Sequence, residues 1–257
     1  MLTPPEIARS LLAAGESKAR LPLGKMLLLA ILAGAYIALA GVGATAAAVT
    51  VESGSLAKLL SACVFPAGLS MVILAGSELF TGNCLMVMAL LERRITPAQL
   101  LRNWLTVYLG NAVGGAAVAA LAVYSHTASL FGDGLARSMV SIAESKAARG
   151  AGDAFLRGVL CNFLVCLAVW MAAASKRAEG KVIALFFPIL LFVLCGYEHC
   201  IANLYYLPAG AFAAAEYGME TTLTLAGCLE NLAAVTLGNL VGGAALGVGY
   251  RFAYLKE

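Results

Sequence analysis

Charge is what this sequence has least of. Only 12% of its 257 residues are Asp, Glu, Lys or Arg, against roughly 25% in a soluble domain, while 61% are hydrophobic and the mean hydropathy is +0.89. Water is therefore excluded as the main solvent, and the chain reads as a single membrane domain spanning residues 1–257. No basic run with interleaved aromatics occurs and the net charge of +3 is spread out, so nucleic acid is not a partner. The first 25 residues lack a compact apolar core with a small-residue cleavage site, which excludes a signal peptide. No C-x-x-C pair exists among the seven cysteines (Cys63, Cys84, Cys161, Cys166, Cys195, Cys200 and Cys228), all of which lie in apolar stretches. They read as small buried hydrophobes, and neither a metal nor a cofactor is expected.

Long apolar runs are present instead. Charges divide the chain into six of them, at about 26–46, 59–91, 103–124, 155–175, 182–215 and 226–250. A span needs ~20 residues, so the second and fifth are too long for one straight crossing. Each carries ionisable residues in its middle, Glu78 in one and Glu198 with His199 in the other, which predicts helices that break halfway across. Ahead of the first run, residues 1–24 read as an amphipathic helix capped by Thr3, with Pro4 at its first position and Glu6 three residues after the cap. A membrane-surface anchor is its plainer role and gating the sharper one.

Lys and Arg set the orientation. With the N-terminus inside, twelve of the seventeen fall on the cytoplasmic side: Arg9, Lys18, Arg20, Lys25, Arg93, Arg94, Arg102, Lys176, Arg177, Lys181, Arg251 and Lys256. Both termini then face the cytoplasm, as an even number of spans requires.

The two halves repeat. Gly76, Glu78 and Asn83 in G-x-E-x-x-x-x-N recur 120 residues later as Gly196, Glu198 and Asn203. Asn103 followed by Gly110, Asn111, Gly114 and Gly115 recurs as Asn231 followed by Gly238, Asn239, Gly242 and Gly243. Three spans per half is an odd number, so the second half enters from the opposite side and the repeats are inverted. The expected architecture is all-α: six transmembrane helices in two inverted triplets, with a solute site where the broken second and fifth helices meet. The G-x-x-x-G pairs read as helix-packing surfaces.

An unwound segment at bilayer depth must be buried in protein or line a watery cavity. His199 is thus the leading site residue, able to donate a hydrogen bond to an anion or exchange a proton with it; a neutral histidine satisfied inside the protein is the plainer role. Thr81 lies two residues after Leu79, the repeat counterpart of His199, and its hydroxyl either meets the imidazole or caps the restarting helix. Glu78 and Glu198 would repel an anion and are expected to face away, accepting hydrogen bonds from backbone amides at the breaks. Phe65, Leu69, Leu79 and Phe192 are candidates for apolar constrictions, with core packing as the default. Lys146, in the external loop from Ser125 to Asp153, is either an anion attractor at the mouth or a solvated loop charge.

At these residues the chain resembles the formate/nitrite transporter family over nearly its whole length. The matching stretches are Ala75–Asn83 (AGSELFTGN), Gly158–Trp170 (GVLCNFLVCLAVW), Gly196–Asn203 (GYEHCIAN) and Val235–Asn239 (VTLGN). The wording is similar to that of the nitrite-channel branch, with the formate and hydrosulfide branches not far away. The resemblance implies an aquaporin-like protomer in a homopentamer of the plasma (inner) membrane, with one pore per subunit. It also implies that His199 is the central pore histidine, Thr81 its partner and Lys146 the basic residue of the outer vestibule. Asn162 and Asn239 match asparagines near the pore, and Phe65, Leu69, Leu79 and Phe192 match its constrictions. Cys200 stands where relatives usually have serine. Formate or nitrite is the expected solute, conducted passively or with a proton, and hydrosulfide the alternative. A neutral-solute pore for water or glycerol is the rival within transport. An intramembrane hydrolase using Glu198, His199 and a nucleophilic Cys200 is the rival from another class, disfavoured because adjacent residues rarely form a working base and nucleophile.

Overall fold

A computed structural model describes residues 1–255; Lys256, counted above among the cytoplasmic cations, lies outside the described residues. Ten helices form the described chain: α1 (Pro4–Ala19), α2 (Leu23–Ala48), α3 (Gly54–Ala75), α4 (Phe80–Leu91), α5 (Pro97–Tyr124), α6 (Gly134–Ala147), α7 (Ala151–Ala173), α8 (Ala178–Leu194), α9 (Cys200–Glu216) and α10 (Leu225–Tyr254). Their ends follow local chemistry. In α1, Glu6 accepts from the Thr3 backbone N–H at 2.7 Å, and Pro4 opens the first turn where a missing N–H costs nothing. Thr96 and Gln99 cap α5 reciprocally, at 3.2 and 2.8 Å. Helices α3 and α8 run out into Gly76 (φ 76°) and Gly196 (φ 69°), whose left-handed backbone reverses the chain at a position where a Cβ would be strained.

Among the described residues, five helices are long and apolar enough to cross a bilayer: α2, α3, α5, α7 and α10. The apolar stretch read as the fifth span is divided into α8 and α9, each of 17 residues, and the second into α3 and the shorter α4. Large apolar side chains point outward in rows, as with Leu101, Leu105, Leu109 and Val113 on α5. Such a surface is stable against lipid and not against water.

Association inside a bilayer depends on close van der Waals packing and hydrogen bonds, because lipid is as apolar as leucine. The glycines supply it. Helix α2 lies along α5 and α7 along α10. A Cβ on Gly114 would overlap the Ile31 carbonyl, and one on Gly242 the Val159 carbonyl, so backbone touches backbone in both pairs. Each site is 128 residues from its equivalent.

The stretch from Ser125 to Asp153, read from the sequence as a loop, holds α6. Its amphipathic pattern buries Leu135, Ala136, Met139, Val140 and Ala143. Glu144, on its polar side, ties down the connection between α9 and α10 by accepting from the Thr222 N–H (2.7 Å) and the Thr221 and Thr222 hydroxyls (3.0 and 3.1 Å). The Thr222 amide, and then the Thr221 hydroxyl, hold its carboxyl below the ordinary range. Since the charged form makes these bonds, the tether is complete above the ordinary glutamate value and is lost as pH falls through the lowered one. Hydrogen exchange at the Thr222 amide should lose its protection in that window and not above it.

Candidate functional site

Two breaks in the helices build the site, and each must satisfy backbone groups that no helix pairs. After Gly76 the Glu78 N–H donates to the Leu29 carbonyl (3.2 Å), Leu79 is extended, and the Phe80 N–H that restarts the chain as α4 donates to Asn111 Oδ1 (3.0 Å). After Gly196 the Glu198 N–H donates to the Arg157 carbonyl (3.3 Å), His199 is extended, and the Cys200 N–H donates to Asn239 Oδ1 (2.9 Å). The Asn111 amide then donates to the carbonyls of Ala30 and Glu78 at 2.7 and 2.9 Å, and that of Asn239 to Gly158 and Glu198 at 2.8 and 2.9 Å. One asparagine on each glycine-rich helix thus bridges the two sides of one break.

Asn239, expected near the pore, has its side-chain polar atoms committed to backbone. Asn162 is similar: its amide donates to the carbonyls of Thr81 (3.2 Å) and Asn239 (2.7 Å), which ties one break to the staple of the other. Both are fully buried and neither offers a free donor to a solute.

The carboxylates also have other partners than expected. Glu78 accepts from Lys18 Nζ and Asn83 Nδ2, both at 2.7 Å, and Asn83 reaches on to Asn103 Oδ1 at 2.9 Å. Glu198 accepts from Lys146 Nζ (2.9 Å) and Asn203 Nδ2 (2.7 Å), and Asn203 reaches Asn231 Oδ1 (2.8 Å). The nearest backbone amides are turned elsewhere: those of Glu78 and Glu198 donate to the Leu29 and Arg157 carbonyls, and those of Phe80 and Cys200 to the two staples. Each buried charge is instead paired with a lysine and an amide, which offsets the several kcal/mol lost on leaving water.

Lys18 was missed as a site residue, although the sequence held its signal. Glu16, Ser17, Lys18 and Ala19 recur as Glu144, Ser145, Lys146 and Ala147, 128 residues apart. Helices α1 and α6 each deliver one lysine to one glutamate. Asn83, Asn103, Asn203 and Asn231 marked the repeat in the sequence, but their pairing with each other did not show there.

Two cavities approach the centre from opposite sides. The larger, about 760 Å³, is lined by Lys58, Lys146, Tyr206, Phe65, Phe192 and His199 among others; the smaller, about 330 Å³, by Lys18, Lys181, Glu78, Leu69 and Leu79. Between them lies a void of about 10 Å³ whose wall includes Phe65, Leu69, Leu79, Phe192 and His199. That is room for about one water. The Phe65 and Phe192 rings meet edge to face at 5.6 Å, and Phe192 stacks on the imidazole at 5.9 Å.

His199 is 3% exposed and Thr81 fully buried, with Nε2 and Oγ1 2.9 Å apart across the two breaks. The other ring nitrogen decides the tautomer. Nδ1 accepts from the Ala202 N–H at 3.1 Å, so it carries no proton and the neutral ring holds its hydrogen on Nε2. The imidazole presents a single N–H donor at the narrowest point, and the Thr81 hydroxyl, accepting from it, keeps its own hydrogen free to donate.

Apolar helices packed around two vestibules that meet at a one-water constriction define a membrane passage for small solutes. Similarity agrees with that class. The profile described as "Formate/nitrite transporter" matches residues 5–253. A "Probable formate transporter" of Methanothermobacter thermautotrophicus is 38% identical over 99% of this chain and 98% of its own length, and "Formate channel FocA" of Haemophilus influenzae is 39% identical over 86% and 83%. Among solved structures, an "FNT family ion channel" superposes with a TM-score of 0.87 at 32% identity, covering 96% of this chain and 98% of that one. A "Pentameric formate channel with formate bound" follows with 0.80, 33%, 91% and 98%. The chain belongs to the formate/nitrite transporter family. It is a membrane channel or transporter with that family's all-helical fold, and not an enzyme. Cys200, the nucleophile of the hydrolase reading, is fully buried at the start of α9.

Proposed function

We propose that this chain is a channel for small monovalent anions, formate or nitrite, forming one domain over residues 1–257 with six membrane crossings in two inverted three-helix halves. In this reading α3 with α4 and α8 with α9 are the interrupted second and fifth crossings. The matched hydrogen bonds at the two breaks support the repeat. The distribution of Lys and Arg supports cytoplasmic termini in the cell's inner (plasma) membrane, with the α1 side facing in. The relatives named formate channels favour formate, and the solved neighbour titled as pentameric favours a homopentamer with one passage per subunit. The AGSELFTG and GYEH wording, similar to that of the nitrite-channel branch, keeps nitrite in view.

The observation that carries the proposal is the His199–Thr81 pair at the constriction between the two cavities. Lys146 and Lys58 concentrate anions in the larger vestibule. Phe65 and Phe192 on one side, and Leu69 and Leu79 on the other, admit one small solute nearly stripped of water. The Nε2–H, turned from Thr81 to the solute, and the Thr81 hydroxyl then replace part of the lost hydration, lowering a charge-burial cost of roughly several kcal/mol. Proton delivery from the ring first requires a proton on Nδ1 and loss of the Ala202 bond, so coupled transport and plain conduction differ in their pH dependence.

Proteoliposome flux of formate, nitrite and hydrosulfide, compared over a pH series, tests this. Saturable formate or nitrite flux above hydrosulfide flux is the expected result. Swelling with glycerol and no anion flux would overturn the proposal in favour of a neutral-solute pore.

A further inference from the structure

The two breaks share their backbone geometry but not their surroundings. Around the second, three charged residues spaced four apart form a ladder from Arg149, just ahead of α7, to Asp153 and Arg157 in its first turns. Arg149 Nη1 donates to Asp153 Oδ2 at 2.8 Å, and Arg157 Nε donates to Asp153 Oδ1 at 2.7 Å. The ladder meets the break through one hydrogen bond and one longer charge contact. Arg157 Nη1 donates to the Gly196 carbonyl at 3.1 Å, and Arg149 Nε lies 3.5 Å from Glu198 Oε1. Those two residues flank Tyr197 and lie directly ahead of His199.

Among the described residues, the first break has no such ladder. Its equivalents are fixed by hydrogen bonds and not by sequence alignment alone: the Glu78 N–H donates to the Leu29 carbonyl as the Glu198 N–H does to Arg157, and Asn111 binds the Ala30 carbonyl as Asn239 binds that of Gly158. This register places Leu21, Lys25 and Leu29 opposite Arg149, Asp153 and Arg157. Two leucines and a lysine cannot build the ladder. The half that carries it is the half whose break ends in an imidazole, where the other half has Leu79.

We infer that Arg149, Asp153 and Arg157 are positioning residues, a charged clamp that fixes the backbone of the second break so that His199 Nε2 faces the passage. The physical need differs between the halves. A leucine in a constriction fills space in many small rotations, whereas an N–H donor loses its interaction when its direction drifts by a few tens of degrees. Isolated ion pairs as exposed as Asp153 (49%) and Arg157 (36%) contribute little by themselves. Here the arginine fork spans both a carboxylate and a carbonyl of the unwound chain, which turns a surface pair into a brace. Because Arg149 also faces Glu198, Lys146 is not that carboxylate's sole counter-charge and keeps part of its field for the vestibule.

The inference rests on the function proposed above, and its test separates the two. The variants are Arg157→Leu, which installs the residue of the first half, Asp153→Asn, which breaks the ladder with the opposite change in charge, and Arg157→Lys. Three quantities are read in the full-length protein: hydrogen exchange at residues 196–199, the 15N spectrum of the imidazoles, simplified by there being only two histidines in the chain, and formate flux in proteoliposomes. The first two variants should raise exchange at the second break roughly tenfold, as loss of one charge-assisted hydrogen bond would, while leaving 76–79 unchanged. They should convert His199 from one tautomer to an averaging pair and cut flux, with Arg157→Lys restoring much of each. Opposite flux changes in the Leu and Asn variants would assign the effect to charge at the mouth and overturn the clamp, as would unchanged exchange or an unchanged His199 spectrum. A wild-type protein that carries no formate, nitrite or hydrosulfide would instead sink the proposed function, whatever the exchange and spectra show.

Discussion

Replacing His199 with leucine, the residue at position 79 in the other half, is expected to lower formate flux on the order of 10- to 100-fold in proteoliposomes. The imidazole is the one polar side chain among the described residues lining a void that holds about one water, and a hydrogen bond to a charged group is worth roughly 1.5–3 kcal/mol. Leucine fits the apolar collar, so the protein should still fold and the constriction should stay narrow. Nothing then offsets the dehydration of the anion. His199→Asn, which restores a donor without a titratable ring, should recover part of the flux and flatten its pH dependence. Wild-type flux in His199→Leu would remove the imidazole from the mechanism.

Asn239→Leu is expected to produce the largest loss of stability of any single change at the site. The side chain accepts from the Cys200 N–H and donates to the Gly158 and Glu198 carbonyls, all in the buried interior. Leucine is close in size but leaves those three groups without partners, at ~1–3 kcal/mol each. The sum is several kcal/mol, comparable with the whole margin of many proteins. A drop in thermal midpoint in detergent, together with fast exchange at 198–200, is the expected outcome. Asn239→Asp should fall between, keeping an acceptor for Cys200 while losing the donor. Asn111→Leu should act at 78–80 in the same way. A midpoint unchanged by Asn239→Leu would mean that water or local rearrangement satisfies the break.

Glu78 and Glu198 show how far one-dimensional reading carries. Their place in the middle of long apolar runs pointed to breaks in the helices, because a charge in a bilayer and a glycine that reverses the backbone both leave local marks. Their partners were misread. Backbone amides were the nearest candidates in sequence, whereas the lysines come from α1 and α6, 60 and 52 residues from the carboxylates they meet. Asn162 was matched by resemblance to the pore, but its amide is spent on the carbonyls of Thr81 and Asn239, which only helix packing brings within reach. The recurrence of Glu16-Ser17-Lys18-Ala19 as Glu144-Ser145-Lys146-Ala147 stood in the sequence all along, and its meaning depends on seeing two amphipathic helices do the same task.

By itself the sequence determined the solvent, the apolar stretches, the two places where a helix has to stop and the imidazole at one of them. Hydropathy, glycine and buried charge act within a turn or two of the chain, so their consequences can be read along it. The tertiary structure alone decided that Thr81 and His199, 118 residues apart, share a hydrogen bond, that Asn111 and Asn239 bridge the breaks, and that an arginine ladder lies against the second. Those contacts depend on the angle and depth at which glycine-lined helices pack, and no local pattern encodes either.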